Sequence, residues 1–254
     1  MFGSPLYAMA DVGSTMDVAR ELADRSAPEG TCIVADRQSG GRGRSGRRWE
    51  SPPGGLYASL ILRPSRPSDE WPSLSLVAGL ALAETVHQWC RLDAQIRWPN
   101  DILIEGKKVA GILTETSVVT SDKRQVTSDK NFVVLGVGIN ATAEASELPD
   151  TATSLAAWGV SCDSYRLAAA FLRRLEQRYE VWRTGGFASV RSAWLARSGL
   201  VGNMVSVALP SEELEGQVAD VDERGRLVIR LDAGVQRACE VGDVRLLRLK
   251  HPAA

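Results

Sequence analysis

Residues 40–49 read Gly-Gly-Arg-Gly-Arg-Ser-Gly-Arg-Arg-Trp, four glycines and four arginines in ten positions. The glycines disfavour a stable helix or strand, because each loses much backbone freedom when ordered. The arginines bring planar, permanently charged forks that match phosphate and carboxylate. This pattern predicts an irregular cationic loop that closes over an anionic ligand. On either side, Thr31 to Ala35 and Leu56 to Leu62 read as buried strands, so the loop joins two strands of a sheet. Gln38 and Ser39 lead into it and Trp49 ends it with an apolar anchor, while Pro52, Pro53, Gly54 and Gly55 form a second joint. A charged segment hinged at both ends fits a lid. It lacks the Gly-Lys-Ser/Thr ending of a Walker A loop and is not a Rossmann fingerprint.

The chain as a whole is nearly neutral, which sharpens the contrast. In 254 residues, 30 basic side chains face 31 acidic ones, for a net charge of -1. That balance argues against a general nucleic-acid binder. No run of eighteen apolar residues is present to span a membrane, and Met1 to Ala10 lacks the basic and apolar regions of a signal peptide. Cys32, Cys90, Cys162 and Cys239 are widely spaced and form no Cys-x-x-Cys pair, which suits reduced thiols in a cytoplasmic protein. The only histidines are His87 and His251. Chemistry built on a histidine base or a histidine-bound zinc is therefore disfavoured, and positioning and electrostatics are favoured.

Periodicity organises the remainder. Ser14 is placed to cap a helix, with Asp17 completing a box-like start and Val18, Ala19 and Leu22 on its apolar face. Leu74 to Cys90 is a predicted helix whose apolar positions include Val77, Ala78, Ala81, Leu82, Val86 and Trp89. Ile96 to Trp98 and Ile102 to Ile104 read as extended, and a turn at Glu105-Gly106 leads into Lys108 to Glu115. Thr120 to Lys130 is polar and is expected to be a surface loop. Phe132 to Ile139 reads as a central strand. Helices are expected over Ser164 to Arg183 and Phe187 to Arg197. After Gly199 the texture changes to short alternating segments at 204–208, 214–221, 226–231 and 244–249, which suggests a small β-barrel. The expected division is a catalytic domain at 1–198 and a small domain at 199–254.

Two further clusters carry chemistry. Trp98-Pro99-Asn100-Asp101 precedes Lys107-Lys108-Val109-Ala110-Gly111-Ile112-Leu113, so a hairpin brings a lysine beside an Asn and an Asp. A lysine is a compact point charge suited to a carboxylate or phosphate, and Gly111 permits close approach along the strand. Gly136-Val137-Gly138-Ile139-Asn140 puts glycines inside a strand, which implies that something lies against that face or that the strand bulges.

Together and in this order the clusters resemble the biotin protein ligase family. The matching residues are Ser14-Thr15, then Gln38, Gly41, Arg42, Gly43, Arg44, Gly46, Arg47 and Trp49 of the loop, then Trp98 to Asp101. Lys108, Ala110 to Leu113 and Glu115 follow, and Gly136, Gly138, Ile139 and Asn140 complete the set. The resemblance runs from about residue 10 to the C-terminus. It implies an α+β fold with a mixed sheet, similar to the catalytic domain of class II aminoacyl-tRNA synthetases, followed by a small SH3-like domain. It also implies a two-step reaction. The biotin carboxylate attacks the α-phosphorus of ATP, and a lysine of a biotin carboxyl carrier protein then takes biotin from biotinyl-5′-adenylate.

The resemblance assigns roles residue by residue. Ser14, Thr15 and Gln38 would meet the polar end of biotin, with Gly41, Arg42, Gly43, Arg44 and Gly111 around it. Arg44, Arg47, Trp49, Asn100 and Asn140 would serve ATP. Lys108 would sit between the biotin carboxylate and the α-phosphate, with Arg44 and Arg47 as its catalytic partners. Mg²⁺ is implied with ATP, and no protein metal site is assigned. Family members usually have Asn after the Ser-Thr pair, whereas this chain has Met16. With only about ten residues before Ser14, no DNA-binding domain is expected. Members occur as monomers and as dimers. The nearest rivals are a lipoate ligase or octanoyl transferase of the same fold, and a non-catalytic biotin- or nucleotide-binding regulator.

Overall fold

Apolar runs that are buried on both faces supply the centre of the molecule. A computed structural model describes residues 1–118, 131–144, 148–232, 234–240 and 242–247. In it β7 (Phe132–Ile139) is the middle strand of a seven-stranded mixed sheet, ordered β1-β2-β3-β7-β6-β5-β4. Its neighbours are β3 (Leu56–Leu62) and β6 (Lys107–Ser117), both antiparallel to it. Beyond β3 lie β2 (Cys32–Gln38) and β1 (Leu6–Val12), which are parallel to each other. Beyond β6 lie β5 (Asp101–Ile104) and β4 (Gln95–Arg97). The sheet is mixed, as the resemblance implies.

The two-residue period of β7 divides its side chains between two cores. Val133, Leu135, Val137 and Ile139 join the main core, while Phe132 and Val134 join a smaller core beneath α1 (Thr15–Asp24). Gly136 and Gly138 continue the second series without side chains. The main core is covered by α2 (Leu74–Cys90) and α3 (Ser164–Gly185). Helix α2 is apolar nearly all round, from Leu74 and Val77 to Leu82 and Val86, because it lies between the sheet and α3. Trp89 departs from the periodic expectation. It is 49% exposed, at the last turn of α2, beside Arg173 and Arg174 of α3.

Helix α3 starts at Asp163, whose side chain caps Arg166 N. It buries Ala168, Phe171, Leu172, Leu175, Tyr179 and Trp182 as the sequence predicts. The next predicted helix divides into a 3-10 turn at Phe187–Ser189 and α4 (Arg191–Ser198). The C-terminal segment forms a five-stranded antiparallel sheet, ordered β11-β10-β9-β8-β12. Its strands are β8 (Met204–Ala208), β9 (Glu213–Val221), β10 (Leu227–Arg230), β11 (Gln236–Cys239) and β12 (Asp243–Leu246). This small sheet agrees with the expected SH3-like unit. It docks through Trp98, whose Nε1 donates to Gly225 O at 2.9 Å, and through Arg191, which pairs with Asp220. The expected loop at 120–130 lies outside the described residues, as does His251.

Candidate active site

The N-terminus of α1 makes one wall of a cleft. Ser14 caps the helix by accepting from Met16 N at 3.3 Å. Asp17 makes no capping box, because its carboxylate accepts from Arg42 at 2.7 Å. Thr15 N and Oγ1 both donate to Gln38 Oε1, at 2.8 and 3.0 Å, and Thr15 Oγ1 lies 2.8 Å from Ser59 Oγ. Gln38 Nε2 donates to Ser51 Oγ at 3.0 Å. This amide therefore ties the helix start to the exit of the arginine loop.

The cleft floor is bare backbone. Gly111 of β6 pairs directly with Gly138 of β7. A Cβ on Gly138 would lie 2.5 Å from Trp49 Nε1, and one on Gly111 would lie 3.2 Å from Trp49 Cζ3. The Trp49 ring therefore rests on a platform that only paired glycines provide. Its N–H is buried with no hydrogen-bond partner. Lys108 Nζ stands 5.1 Å from the ring centroid and 2.6 Å from Asp101 Oδ1. Asp101 also accepts from Arg97 at 3.0 Å, so one carboxylate holds two cations at the cleft edge. Asn100 pairs both ways with Ile112, through Ile112 N to Asn100 O at 3.0 Å and Asn100 Nδ2 to Ile112 O at 2.7 Å. That pairing fixes the backbone between Trp98 and Asp101.

The arginine loop folds as a small hairpin over this floor. Trp49 N donates to Gly41 O and Gly43 N donates to Arg47 O, and the tip turns at Ser45 and Gly46 with φ of 55° and 72°. Three of its cations divide between two regions, while Arg48 pairs with Glu50 beside it. Arg42 binds Asp17 and Glu115, at 2.7 and 3.2 Å. Glu115 also receives Arg20 at 2.8 Å. Burial alone would raise the Glu115 carboxyl, but hydrogen bonding from Arg20 and the charge of Arg42 outweigh it and hold it below the usual carboxylate range. Arg44 and Arg47 reach the C-terminal sheet instead. Arg44 donates to Gly242 O at 3.0 Å, and Arg47 Nη2 lies 2.8 Å from Asp243. Desolvation pulls the Arg44 guanidinium below its ordinary value despite Asp243.

Ser14, Thr15, Gln38, Arg42, Gly43, Arg44, Arg47, Trp49, Asn100, Lys108 and Gly111 thus line one cleft, although they span ninety-eight positions of chain (from 14 to 111). Gly41 and Asn140 do not line it. Gly41 is packed under the hairpin, where a Cβ would lie 2.5 Å from Trp49 O. Asn140 is buried, donating to Thr153 O at 3.0 Å and accepting from Leu155 N at 3.0 Å, so it fastens the segment after β7. The acidic partners Asp101, Glu115 and Asp243 carry no role in the sequence alone, and Asp17 pairs with Arg42 instead of the helix start. Asp101 and Glu115 stand within the quoted motifs and were legible there. Asp243 carries no local signal.

Proteins similar to this chain include biotin protein ligases. Residues 10–140 match the Biotin/lipoate A/B protein ligase family, and residues 201–247 match the Biotin protein ligase C terminal domain. The Biotin--[acetyl-CoA-carboxylase] ligase of Mycobacterium tuberculosis is 35% identical over 255 residues, covering 96% of this chain and 89% of that protein. The Bifunctional ligase/repressor BirA of Bacillus spizizenii is 35% identical over 243 residues, covering 93% of this chain and 73% of that protein. Among solved structures, the biotin protein ligase from Aquifex aeolicus in complex with biotin and ATP superposes with a TM-score of 0.80 at 28% identity, covering 96% of this chain and 98% of that one. The cleft, the small C-terminal sheet and these alignments lead to one conclusion: the chain belongs to the biotin/lipoate A/B protein ligase family, with the C-terminal domain of biotin protein ligases.

Proposed function

We propose that the protein is an ATP-dependent biotin protein ligase, and that Lys108, Arg44 and Arg47 around the Gly111–Gly138 platform form its reaction centre. The observation that carries this reading is the set of cations facing a floor with no side chains. Joining a carboxylate to a nucleotide brings two anions together, so the main obstacle is charge repulsion. Fixed cations in a partly dry cleft oppose that repulsion without needing a histidine. The platform lets flat or narrow groups approach the backbone at the distance now taken by Trp49.

In the first half-reaction a carboxylate oxygen of biotin forms a bond to the α-phosphorus of ATP, and the bond to pyrophosphate breaks. Lys108 neutralises charge on the carboxylate and the α-phosphate. The Asp101 partner holds the ammonium at the cleft edge, 2.6 Å away, until substrate oxygens replace it. Arg44 and Arg47 exchange Gly242 and Asp243 for phosphate oxygens when the hairpin closes on the nucleotide. In the second half-reaction the neutral amine of a carrier lysine attacks the acyl carbon, the amide forms as its nitrogen gives up one proton to solvent, and AMP leaves with the electron pair of the broken acyl–oxygen bond. Magnesium enters as the counter-ion of the triphosphate and is part of that substrate. Among the described residues no group of three or more His, Cys, Asp or Glu side chains is placed to hold a metal, and no step is assigned to a protein-held ion.

The division proposed for the chain is a catalytic unit over 1–198 and a small unit over 199–254. The acceptor is a biotin carboxyl carrier protein domain, and the compartment is the cytoplasm. No helix among the described residues is long and apolar enough to cross a membrane. The match of residues 201–247 to the biotin protein ligase C-terminal domain favours biotin over lipoate or octanoate. The test is acid-dependent ATP–pyrophosphate exchange with biotin, lipoate and octanoate in parallel, followed by AMP release on addition of a carrier domain. Exchange with biotin alone and AMP release with the carrier are expected. Exchange with lipoate or octanoate in place of biotin would overturn the substrate, and no exchange with any acid would overturn the activity.

A further inference from the structure

The two glycines of β7 lie on one face of the strand, two residues apart, and each is covered by a different side chain. Gly138 lies under Trp49 at the mouth of the cleft, beside Lys108. Gly136 lies under Met16 at the inner end, beside Thr15 and Ser59. In extended backbone the two positions are about 6.6 Å apart. The cationic end of this strip is fixed by Lys108 and Arg44, so an acid lying along it points its carboxylate there and its other end at Met16.

Met16 is 5% exposed and belongs on one side to the core under α1 with Ala19, Ile33 and Val134. Its other side lines the cleft. The thioether fits there only because residue 136 has no side chain. A Cβ on Gly136 would lie 2.8 Å from Met16 Sδ and 3.0 Å from Cγ, closer than packed atoms tolerate. Methionine is unbranched and settles into such a notch. Any larger residue at 136 would push the thioether into the cleft and shorten it.

We propose that Met16 is the end-stop of the acid-binding cleft and that Gly136 is the notch that keeps it retracted, so that the pair sets the length of acid the enzyme accepts. The proposal rests on the biotin ligase reading and adds a specificity determinant to it. Thr15, Gln38 and Ser59 form the polar wall beside the stop, and Met16 supplies its apolar end.

The experiment compares biotin with homobiotin, which has one more methylene between ring and carboxylate and the same polar groups. With the carboxylate held at Lys108, the extra methylene drives the ring toward Met16. Pyrophosphate exchange is measured with both acids on wild type, Met16→Ala, Gly136→Ala and the double variant. The ratio of the two kcat/KM values on one preparation does not depend on how much of it is folded. A methylene in an apolar pocket is worth a factor of about 10 to 200 in discrimination. Wild type is expected to prefer biotin. Met16→Ala is expected to shift the ratio toward homobiotin at least about tenfold, through KM rather than kcat. Gly136→Ala is expected to lower kcat/KM for both acids, more for homobiotin, and this penalty is expected to vanish in the Met16→Ala background. Met16→Val keeps a side chain in the α1 core and gives the same readout in weaker form. An unchanged ratio in Met16→Ala and Met16→Val, or a Gly136→Ala penalty of equal size in both backgrounds, would overturn the proposal while leaving the ligase activity intact. A wild type without biotin-dependent exchange would instead overturn the ligase reading on which the pair rests.

Discussion

The two faces of β7 are built on opposite rules. Toward α2 and α3 the strand presents Val133, Leu135, Val137 and Ile139, all buried in the main core. Toward α1 and the arginine hairpin it presents Gly136 and Gly138, whose space is taken by Met16 and Trp49 from other elements. The first face is filled by its own side chains and gives stability. The second is filled by Phe132 and Val134 at one end, and at Gly136 and Gly138 by borrowed side chains that a ligand is able to displace, which gives room for chemistry. Trp182 and Trp49 differ in the same way, although Trp194 of the main core also buries an unpartnered Nε1. Trp182 Nε1 donates to Ser73 Oγ at 2.8 Å behind the sheet, whereas Trp49 Nε1 is buried on the platform with no partner.

This contrast is broken most readily by truncating the filled face. Leu135→Ala is expected to destabilise by about 2–5 kcal/mol, as core leucine truncations do. Urea unfolding measures this, and exchange activity per folded molecule should be retained. A small stability change there, with a large loss of activity, would erase the distinction. On the bare face the pattern should invert. Gly138→Ala meets the Trp49 ring first, and with that ring displaced its stability change should stay within about 1 kcal/mol of zero, the ordinary Gly-to-Ala range in a strand. Its KM values for biotin or ATP should rise, as steady-state exchange would record.

The indole pair gives opposite signs. Trp182→Phe leaves Ser73 without its donor and is expected to cost about 1 kcal/mol, whereas Trp49→Phe removes an unsatisfied buried N–H and is expected to be neutral or stabilising by up to about 1 kcal/mol. Thermal melts of the two variants settle the signs. The smallest effect belongs to Glu115→Gln at the hinge of the hairpin, about 0.5–1 kcal/mol as for other partly exposed ion pairs. Arg20 and Arg42 depress the folded-state value of Glu115. Its contribution is therefore present above the unfolded value, near 4.3, and is lost as pH falls through the lower folded value. Melts of wild type and Glu115→Gln should converge as the pH drops below about 4.

How much of this was legible in the sequence follows the same division. Strands β3 and β7 are buried on both faces and helix α2 over most of its surface, so their apolar patterns marked their limits to the residue. Strand β1 was missed because it is an exposed edge, with Leu6 and Tyr7 more than 40% exposed, and carries no apolar period. Strand β11 was missed for the same reason, with Gln236, Arg237 and Ala238 exposed. Trp89 fits the helical period but lies where α3 offers arginine stems rather than core. The cations of the cleft were legible because arginine and lysine clusters stand out locally. Their acidic partners were less so, because Asp243 reaches Arg47 across 196 positions. The bonds of Asn140 to Thr153 and Leu155 were not legible, because they come from a segment with no motif of its own.

The central claim, that the bare platform serves acyl-adenylate chemistry at Lys108, is tested most directly by biotin-dependent ATP–pyrophosphate exchange in Lys108→Ala beside wild type. Lys108 is partly exposed and anchors no core, so the variant should melt within about 1 kcal/mol of wild type. Exchange should fall by about 10²-fold or more, the usual loss when a charge-stabilising donor is removed. A folded Lys108→Ala protein that exchanges pyrophosphate at a near-normal rate would contradict the account.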